Sequence, residues 1–208
     1  MKIAAFDIGG TALKMGVMAR DGRLLETARQ SINDSDGDRI LQAMLSWLAA
    51  HPSCEGIAIS APGYIDPHSG LITMGGAIRR FDNFAMKSWL ETRTGLPVSV
   101  ENDANCVLLA ERWQGKAAEM ANFLVLTIGT GIGAGAIQNG EFIGGISHAE
   151  MGHMFVKRHS DDLDFAGVCP YHGDCLEGVA AGPSLEARTG IRGENIELDS
   201  NVWDIQAY

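Results

Sequence analysis

Two stretches of this chain, 120 positions apart, carry the same order of strand and turn signals. That duplication limits the fold more than any other feature. Residues 2–8 (Lys-Ile-Ala-Ala-Phe-Asp-Ile) read as a buried strand, Gly9-Gly10-Thr11 as a turn, and 12–19 as a second strand. Asp21-Gly22 then marks a hairpin leading to a third strand over 23–30. The order returns at 122–128, an apolar strand followed by the turn Gly129-Thr130-Gly131 and a strand over 132–138. Asn139-Gly140, a strong short hairpin signal, leads into a further strand. The pattern predicts two copies of one β-hairpin framework facing each other across a cleft. Two unrelated glycine-rich hairpins are the plainer alternative.

Between the copies, helical and strand periods alternate. N-cap candidates at 34–38 precede apolar positions Ile40, Leu41, Met44, Leu45 and Leu48, a helical spacing. A strand over 56–60 is broken by Ala61-Pro62-Gly63, and a helix near 84–94 ends at Gly95. A strand over 97–101 runs into a helix over about 104–114. The expected class is α/β, with a first lobe over 1–118 and a second over 119–208. An apolar fraction of 46% is enough for a packed core. No apolar run approaches the ~20 residues of a membrane span. Met1-Lys2 leads through four apolar residues to Asp7, which is not a signal-peptide pattern, so a cytoplasmic protein is expected. The net charge of −10 argues against nucleic acid as a partner. It leaves room for a nucleotide, which backbone N–H groups, one or two cations and Mg²⁺ can hold.

Each glycine-rich turn can offer backbone N–H groups to phosphate oxygens without a Cβ in the way. Gly9, Gly10, Gly129, Gly131 and Gly133 are the candidates, with hydroxyl donors from Thr11 and Thr130. A carboxylate at Asp7, just before the first turn, suits Mg²⁺ held through water rather than phosphate itself. Lys14 is placed to reach the phosphates. Glu101-Asn102-Asp103 closes a strand where a helix begins, a favoured ligand position in α/β sheets. Asp103 is equally a natural helix N-cap there.

Cys54 and Cys106 stand alone in apolar surroundings and read as reduced core residues. Cys169, His172 and Cys175 follow one another at three-residue intervals, with His153 sixteen residues upstream. Two thiolates and two imidazoles make a tetrahedral structural Zn²⁺ site. A reduced pair or a disulfide between Cys169 and Cys175 are the alternatives, the disulfide disfavoured in a reducing compartment. His148 and His159 are not needed as ligands.

Five motifs now stand in one order: residues 7–11 (Asp-Ile-Gly-Gly-Thr), 60–63 (Ser-Ala-Pro-Gly), 101–105 (Glu-Asn-Asp-Ala-Asn), 129–133 (Gly-Thr-Gly-Ile-Gly) and 150–153 (Glu-Met-Gly-His). In order and spacing they resemble the ROK family of repressors and sugar kinases, across essentially the whole chain. The resemblance implies a ribonuclease-H-like actin/hexokinase/Hsp70 superfold and transfer of a phosphoryl group from ATP to a sugar hydroxyl. It implies that residues 7–11 and 129–133 are phosphate loops and that Asp103 is the base. Asn102, Glu150 and His153 would hydrogen-bond the sugar, with Gly63 as a backbone contact. Many members carry a zinc motif where this chain has 169–175, and dimers are common among the kinases. A repressor would carry an N-terminal helix-turn-helix, whereas the first strand here begins at residue 2.

Two departures accompany the resemblance. Residues 1 to about 133 are most similar to β-glucoside kinases, and those from about Ala134 to zinc-containing fructokinases, a branch change that suggests a chimera. Family kinases are also longer, with a later glycine-rich turn for adenosine that nothing after Gly190 matches. Residues 201–208 read as the first turns of a helix. The expectation that follows is a chain whose sugar site outlasts its adenosine pocket, and therefore a catalytically weak sugar-binding fragment as the alternative to an active kinase.

Overall fold

A computed structural model of the protein describes residues 1–32, 36–76, 78–143 and 149–197. The chain folds as two compact units, one built mainly from Met1–Ala110 and one from Glu111–Ile143 with the segment that starts at Ala149.

The first unit is a five-stranded sheet. Strands β1 (Lys2–Ile8), β2 (Ala12–Ala19) and β3 (Leu24–Ser31) form an antiparallel meander. Helix α1 (Gly37–Ala50) then carries the chain to β4 (Gly56–Ala61), which lies parallel to β1. A small antiparallel arm follows, of β5 (Tyr64–Asp66), β6 (Leu71–Met74) and the two-residue β7 (Phe84–Ala85). Helix α2 (Met86–Thr94) leads to β8 (Val98–Asn102), parallel to β4, and α3 (Asp103–Gln114) follows without a break. The strand order β3-β2-β1-β4-β8 is that of the ribonuclease-H-like superfold.

Side-chain alternation builds the core. In β1, Ala4, Phe6 and Ile8 are buried on one face, while Ala5 and Asp7 take the other. The buried face meets Ile40, Leu41, Met44 and Leu48 of α1, with Ile57, Ile59, Val98, Val100 and Leu90 completing one apolar cluster. Asp36 caps α1, its carboxylate accepting from the Asp38 and Arg39 N–H groups. Asp34, another cap candidate, lies outside the described residues. Gly95 ends α2 at a φ of 70°, where L side chains are disfavoured. Gly63, between β4 and β5, has a φ of 91°, and any Cβ there would fall 1.9 Å from the Met74 carbonyl oxygen.

The second unit repeats the meander in β9 (Phe123–Ile128), β10 (Ile132–Gln138) and β11 (Glu141–Phe142). Asn139 and Gly140 both have positive φ, as the Asn-Gly hairpin predicts. The second turn is one residue tighter than the first. Residues 9–12 lie between the paired Ile8 and Leu13, but only 129–131 between the paired Ile128 and Ile132. Gly133 therefore sits in the ladder opposite Thr127, whose Oγ1 donates to its carbonyl, and not in the turn. Helices α4 (Leu176–Ala180) and α5 (Gly182–Thr189) complete this unit. Asp162 pins its long loop by accepting from both Arg158 and Arg188 at 2.8 Å. The Arg188 guanidinium, with Arg158 behind it, holds the Asp162 carboxyl below the usual carboxylate range.

Candidate active site and metal centre

In the first unit the sheet register assembles a polar row. Lys14 pairs with Asp7 across β2 and β1, Asp7 with Ser60 across β1 and β4, and Ser60 with Glu101 across β4 and β8. All four line one groove of about 730 Å³ on the face opposite α1. The Asp7 carboxylate accepts from Lys14 Nζ at 2.9 Å through Oδ2 and from Ser60 Oγ at 2.9 Å through Oδ1. Gly10, beyond the strand end, has nothing within 4 Å of where a Cβ would lie, so the outer side of the first turn is open.

At the end of the row the chain passes from β8 into α3. Asn102 is 2% exposed. Its Oδ1 accepts from the Ala104 N–H at 2.9 Å and the Asn105 N–H at 3.2 Å, and its Nδ2 donates to the Gly63 carbonyl at 3.1 Å. Asn102, not Asp103, is therefore the helix cap. Asp103 is the first residue of α3 and is exposed, its Oδ1 accepting from Ala104 N–H at 2.8 Å. Behind it, Glu101 Oε1 accepts from the Asn102 N–H at 2.8 Å and from Asn105 Nδ2 at 3.0 Å.

Cys106 differs from the core residue its surroundings predict. It lines the groove beside Ser60 and Glu101, because the first turn of α3 folds back over the sheet. Burial, with the nearby Glu101 carboxylate, pushes its thiol up to about 12, so it stays protonated. Cys54 is buried as expected.

In the second unit, His153, Cys169, His172 and Cys175 converge, with one ligand atom of each lying within 4.8 Å of the others. Cys175 Sγ is 3.6 Å from His153 Nδ1, and Cys169 Sγ is 3.7 Å from the same nitrogen and 3.9 Å from His172 Nδ1. Ligands around a tetrahedral zinc stand about 3.3–3.8 Å apart, so the donor set and its spacing fit that ion. Local backbone makes this possible. Cys169 and Gly173 exchange N–H···O bonds of 3.1 and 3.0 Å, a tight knuckle that turns at the positive φ of Gly173. All four cysteines are free thiols, so the disulfide alternative is not realised. His159 accepts from the Asp161 N–H through its ring and takes no part in the cluster. His148 lies outside the described residues.

His153 turns Nδ1 to the thiols and Nε2 toward Glu150 Oε2, 3.8 Å away. A carboxylate behind a ligating imidazole fixes its tautomer. Glu150 itself adopts φ 47° and ψ 38°, an unusual conformation for a residue with a side chain. Glu177, just past the knuckle, accepts through Oε2 from the Ile132 N–H at 2.9 Å, directly after the second turn. A hollow of about 540 Å³ opens beside Gly129 and Thr130, bounded by Ala181, Gly182 and Arg192.

A family model described as the ROK family matches residues 3–204. The chain belongs to the ROK family. Among ROK relatives, a β-glucoside kinase of Klebsiella pneumoniae is 87% identical over 160 residues, covering 76% of this chain and 54% of that protein. That match is longer than the first 133 residues, so the likeness to β-glucoside kinases continues past Ala134. A fructokinase of Pediococcus pentosaceus is 34% identical over 209 residues, covering 99% of this chain and 71% of its own length. A ROK glucokinase from Streptomyces griseus, solved with glucose and AMPPNP, superposes with a TM-score of 0.74 at 29% identity, over 90% of this chain and 59% of that one. The chain thus spans about half the length of the β-glucoside kinases it matches. No helix among the described residues is long and apolar enough to cross a membrane.

Proposed function

We propose that the chain phosphorylates a sugar hydroxyl at the expense of ATP, with Asp103 as the general base. The observation that carries this reading is the placement of Asp103. It stands exposed at the head of α3, where Asn102 makes the capping contacts to Ala104 and Asn105 and Asp103 shares only the first of them. An ionised carboxylate so placed can accept the proton of an attacking hydroxyl as its oxygen bonds to the γ-phosphorus. Asn102 holds Gly63 and the helix start in place and so aims Asp103, and on this reading its second Nδ2–H meets a sugar hydroxyl. Glu150 and His153 Nε2–H are the further sugar-facing groups on this reading, and Gly63 offers backbone only.

The open sides of the turns at Gly9, Gly10 and Thr11 and at Gly129, Thr130 and Gly131 would cradle the phosphates. Asp7 and Lys14 fit the two charges such a site needs, a carboxylate for the nucleotide's Mg²⁺ and an ammonium for phosphate oxygens. Mg²⁺, when bound with the nucleotide, neutralises charge on the β- and γ-phosphates. His153, Cys169, His172 and Cys175 would hold a structural Zn²⁺, which supplies a fold-fixing crosslink and no chemistry. Glucose or a β-glucoside is the acceptor favoured by the K. pneumoniae and S. griseus relatives, fructose by the P. pentosaceus one. Self-association is expected too, and the exposed row Leu124, Leu126 and Ile128 along β9 supports it.

ADP release from Mg-ATP with glucose, cellobiose or fructose tests the reading. Asp103→Asn should lower turnover by ~10²–10⁴ while sugar affinity stays within a few-fold. A variant that keeps more than about a tenth of the turnover would leave Asp103 a helix residue only. Sugar binding by the wild type without any ADP release would replace the kinase with a sugar-binding role.

A further inference from the structure

We propose that Tyr64 and Met74 form a platform for the aglycone ring of a β-glucoside, and so set a preference for β-linked acceptors over free hexoses. This rests on the kinase reading above and names the substrate class of that site. A β-bulge in the small arm carries it. Ile65 pairs with Ile72, both buried, but the next pair along is Tyr64 with Met74. Thr73 is the extra residue on β6. Its Oγ1 donates to the Tyr64 carbonyl at 3.2 Å, and its own carbonyl accepts from the Asn83 N–H at 3.3 Å. In an unbroken ladder Thr73 would stand opposite Tyr64, and Met74 would share the inward face with Ile72. The bulge turns Met74 out beside the half-buried Tyr64, where it is 50% exposed. Taking a methionine out of the core gives up burial, so the gain from this bulge lies outside the packing.

The pair adjoins the acceptor site within the first unit. Tyr64 follows Gly63 directly, and the Met74 carbonyl is the group that leaves Gly63 no room for a Cβ. Gly63 is tied in turn to Asn102, the residue before Asp103, through the 3.1 Å bond to its carbonyl. A sugar held at Gly63 with a hydroxyl at Asp103 thus has this pair as its neighbour. A β-linked glucose carries its hydroxyls round the rim and only C–H bonds on its two faces. Such a face lies flat against an aromatic ring, whose negative π-cloud attracts the C–H hydrogens. The thioether of Met74 fills the margin beside the ring and adapts to aglycones of different outline. Ile65 and Ile72 anchor the arm in the core cluster, so the platform is set before a sugar arrives and little ordering is left to pay. A free hexose has no second ring to cover it.

Calorimetry of the full chain with glucose, methyl β-glucoside and cellobiose tests the platform without need of turnover. Methyl β-glucoside has the β-linkage but no second ring. The wild type should bind cellobiose about tenfold more tightly than the other two, the size of one good stacking contact. Tyr64→Ala should collapse that preference, and Tyr64→Phe, which keeps the aromatic face, should preserve it. Met74→Ala should reduce it by about threefold. If Tyr64→Ala does not fold, Met74→Ala and Tyr64→Leu, which keeps apolar bulk without an aromatic face, decide. An equal loss for glucose and cellobiose in the Tyr64 variants overturns the proposal, as does an unchanged preference. A wild type that binds all three sugars alike, or none of them, overturns it too. With Mg-ATP the same split should appear in the sugar KM and not in kcat, because the aglycone contact is the same before and during transfer. A wild type that binds cellobiose preferentially and releases no ADP would end the kinase reading and leave the platform standing.

Discussion

The same strand-turn-strand hairpin occurs in both units, but it is supported by different physics in each. In the first, β1 turns Ala4, Phe6 and Ile8 into a closed apolar cluster and is paired on both edges. In the second, β9 is an edge strand whose Leu124, Leu126 and Ile128 are 52%, 47% and 66% exposed. The turn that follows is held instead by residues adjacent to the Cys/His cluster. A hairpin over a full core needs no ion, whereas a hairpin with half its apolar side in water leans on crosslinks. This difference also separates what each turn is sensitive to.

Stripping the proposed zinc is the harshest way to break the comparison. Structural zinc contributes an apparent ~10–16 kcal/mol in small zinc-dependent folds. Chelation, or Cys175→Ser, should therefore open the second unit while amides of β1, β4 and α1 stay protected. Elemental analysis should find one zinc per chain beforehand, and exchange mapping by unit gives the readout. Uniform loss of protection in both units would erase the contrast.

Asn102→Ala attacks the first unit alone. It removes the α3 cap and leaves the half-buried Gly63 carbonyl without its donor, at a cost of about 1–3 kcal/mol. The urea midpoint should fall with zinc content unchanged. Because Asn102 both aims Asp103 and stands among the proposed sugar contacts, kcat and sugar affinity should both fall. A drop in the urea midpoint with kcat and sugar affinity unchanged would leave Asn102 a structural cap only.

The smallest effect is a pH dependence, again in the first unit. His51, at the end of α1, has Nδ1 2.7 Å from the Trp47 carbonyl and Nε2 3.2 Å from Glu26 Oε2 on β3. Both neighbours are acceptors, so the ring satisfies them together only when protonated. The Trp47 carbonyl, aided by Glu26, raises its pKa above the ordinary 6.5. A raised folded pKa contributes stability that is complete below the ordinary value and fades as pH climbs through the folded one. Urea midpoints should thus drop slightly between pH 6 and pH 8, and the drop should shrink in His51→Ala. An equal slope in both proteins would remove His51 from the account.

Which parts were legible in the sequence follows from how local each signal is. Alternation in β1, the Asn-Gly hairpin, the α1 stripe and the Gly95 cap are all written within a few residues, and each forms as read. The Cys/His cluster was legible for the same reason, since its knuckle spans seven residues. Ser60 and Glu101 stood inside named motifs, but their partnership with Asp7 was not legible, because a polar row exists only once four strands fix their register. Cys106 was misplaced because its apolar neighbours in sequence say nothing of the groove α3 overhangs. The shift of the cap from Asp103 to Asn102 turns on a single residue of helix start, where Asn and Asp are equally good caps.

The polar row also works as a proofreader of strand pairing. Sliding β1 by one residue against its neighbours would turn Asp7 inward among Phe81, Met44 and the rest of the cluster, and bring Phe6 out to water. An ionised carboxylate in that interior is far costlier than any pairing it could gain. The misregistered sheet is thus rejected by the same residue that the correct one presents to the groove. Zipping begun anywhere along β1 and β4 in the right frame has already aligned Asp7 with Ser60, so for this half of the molecule, folding and assembly of the site are one event.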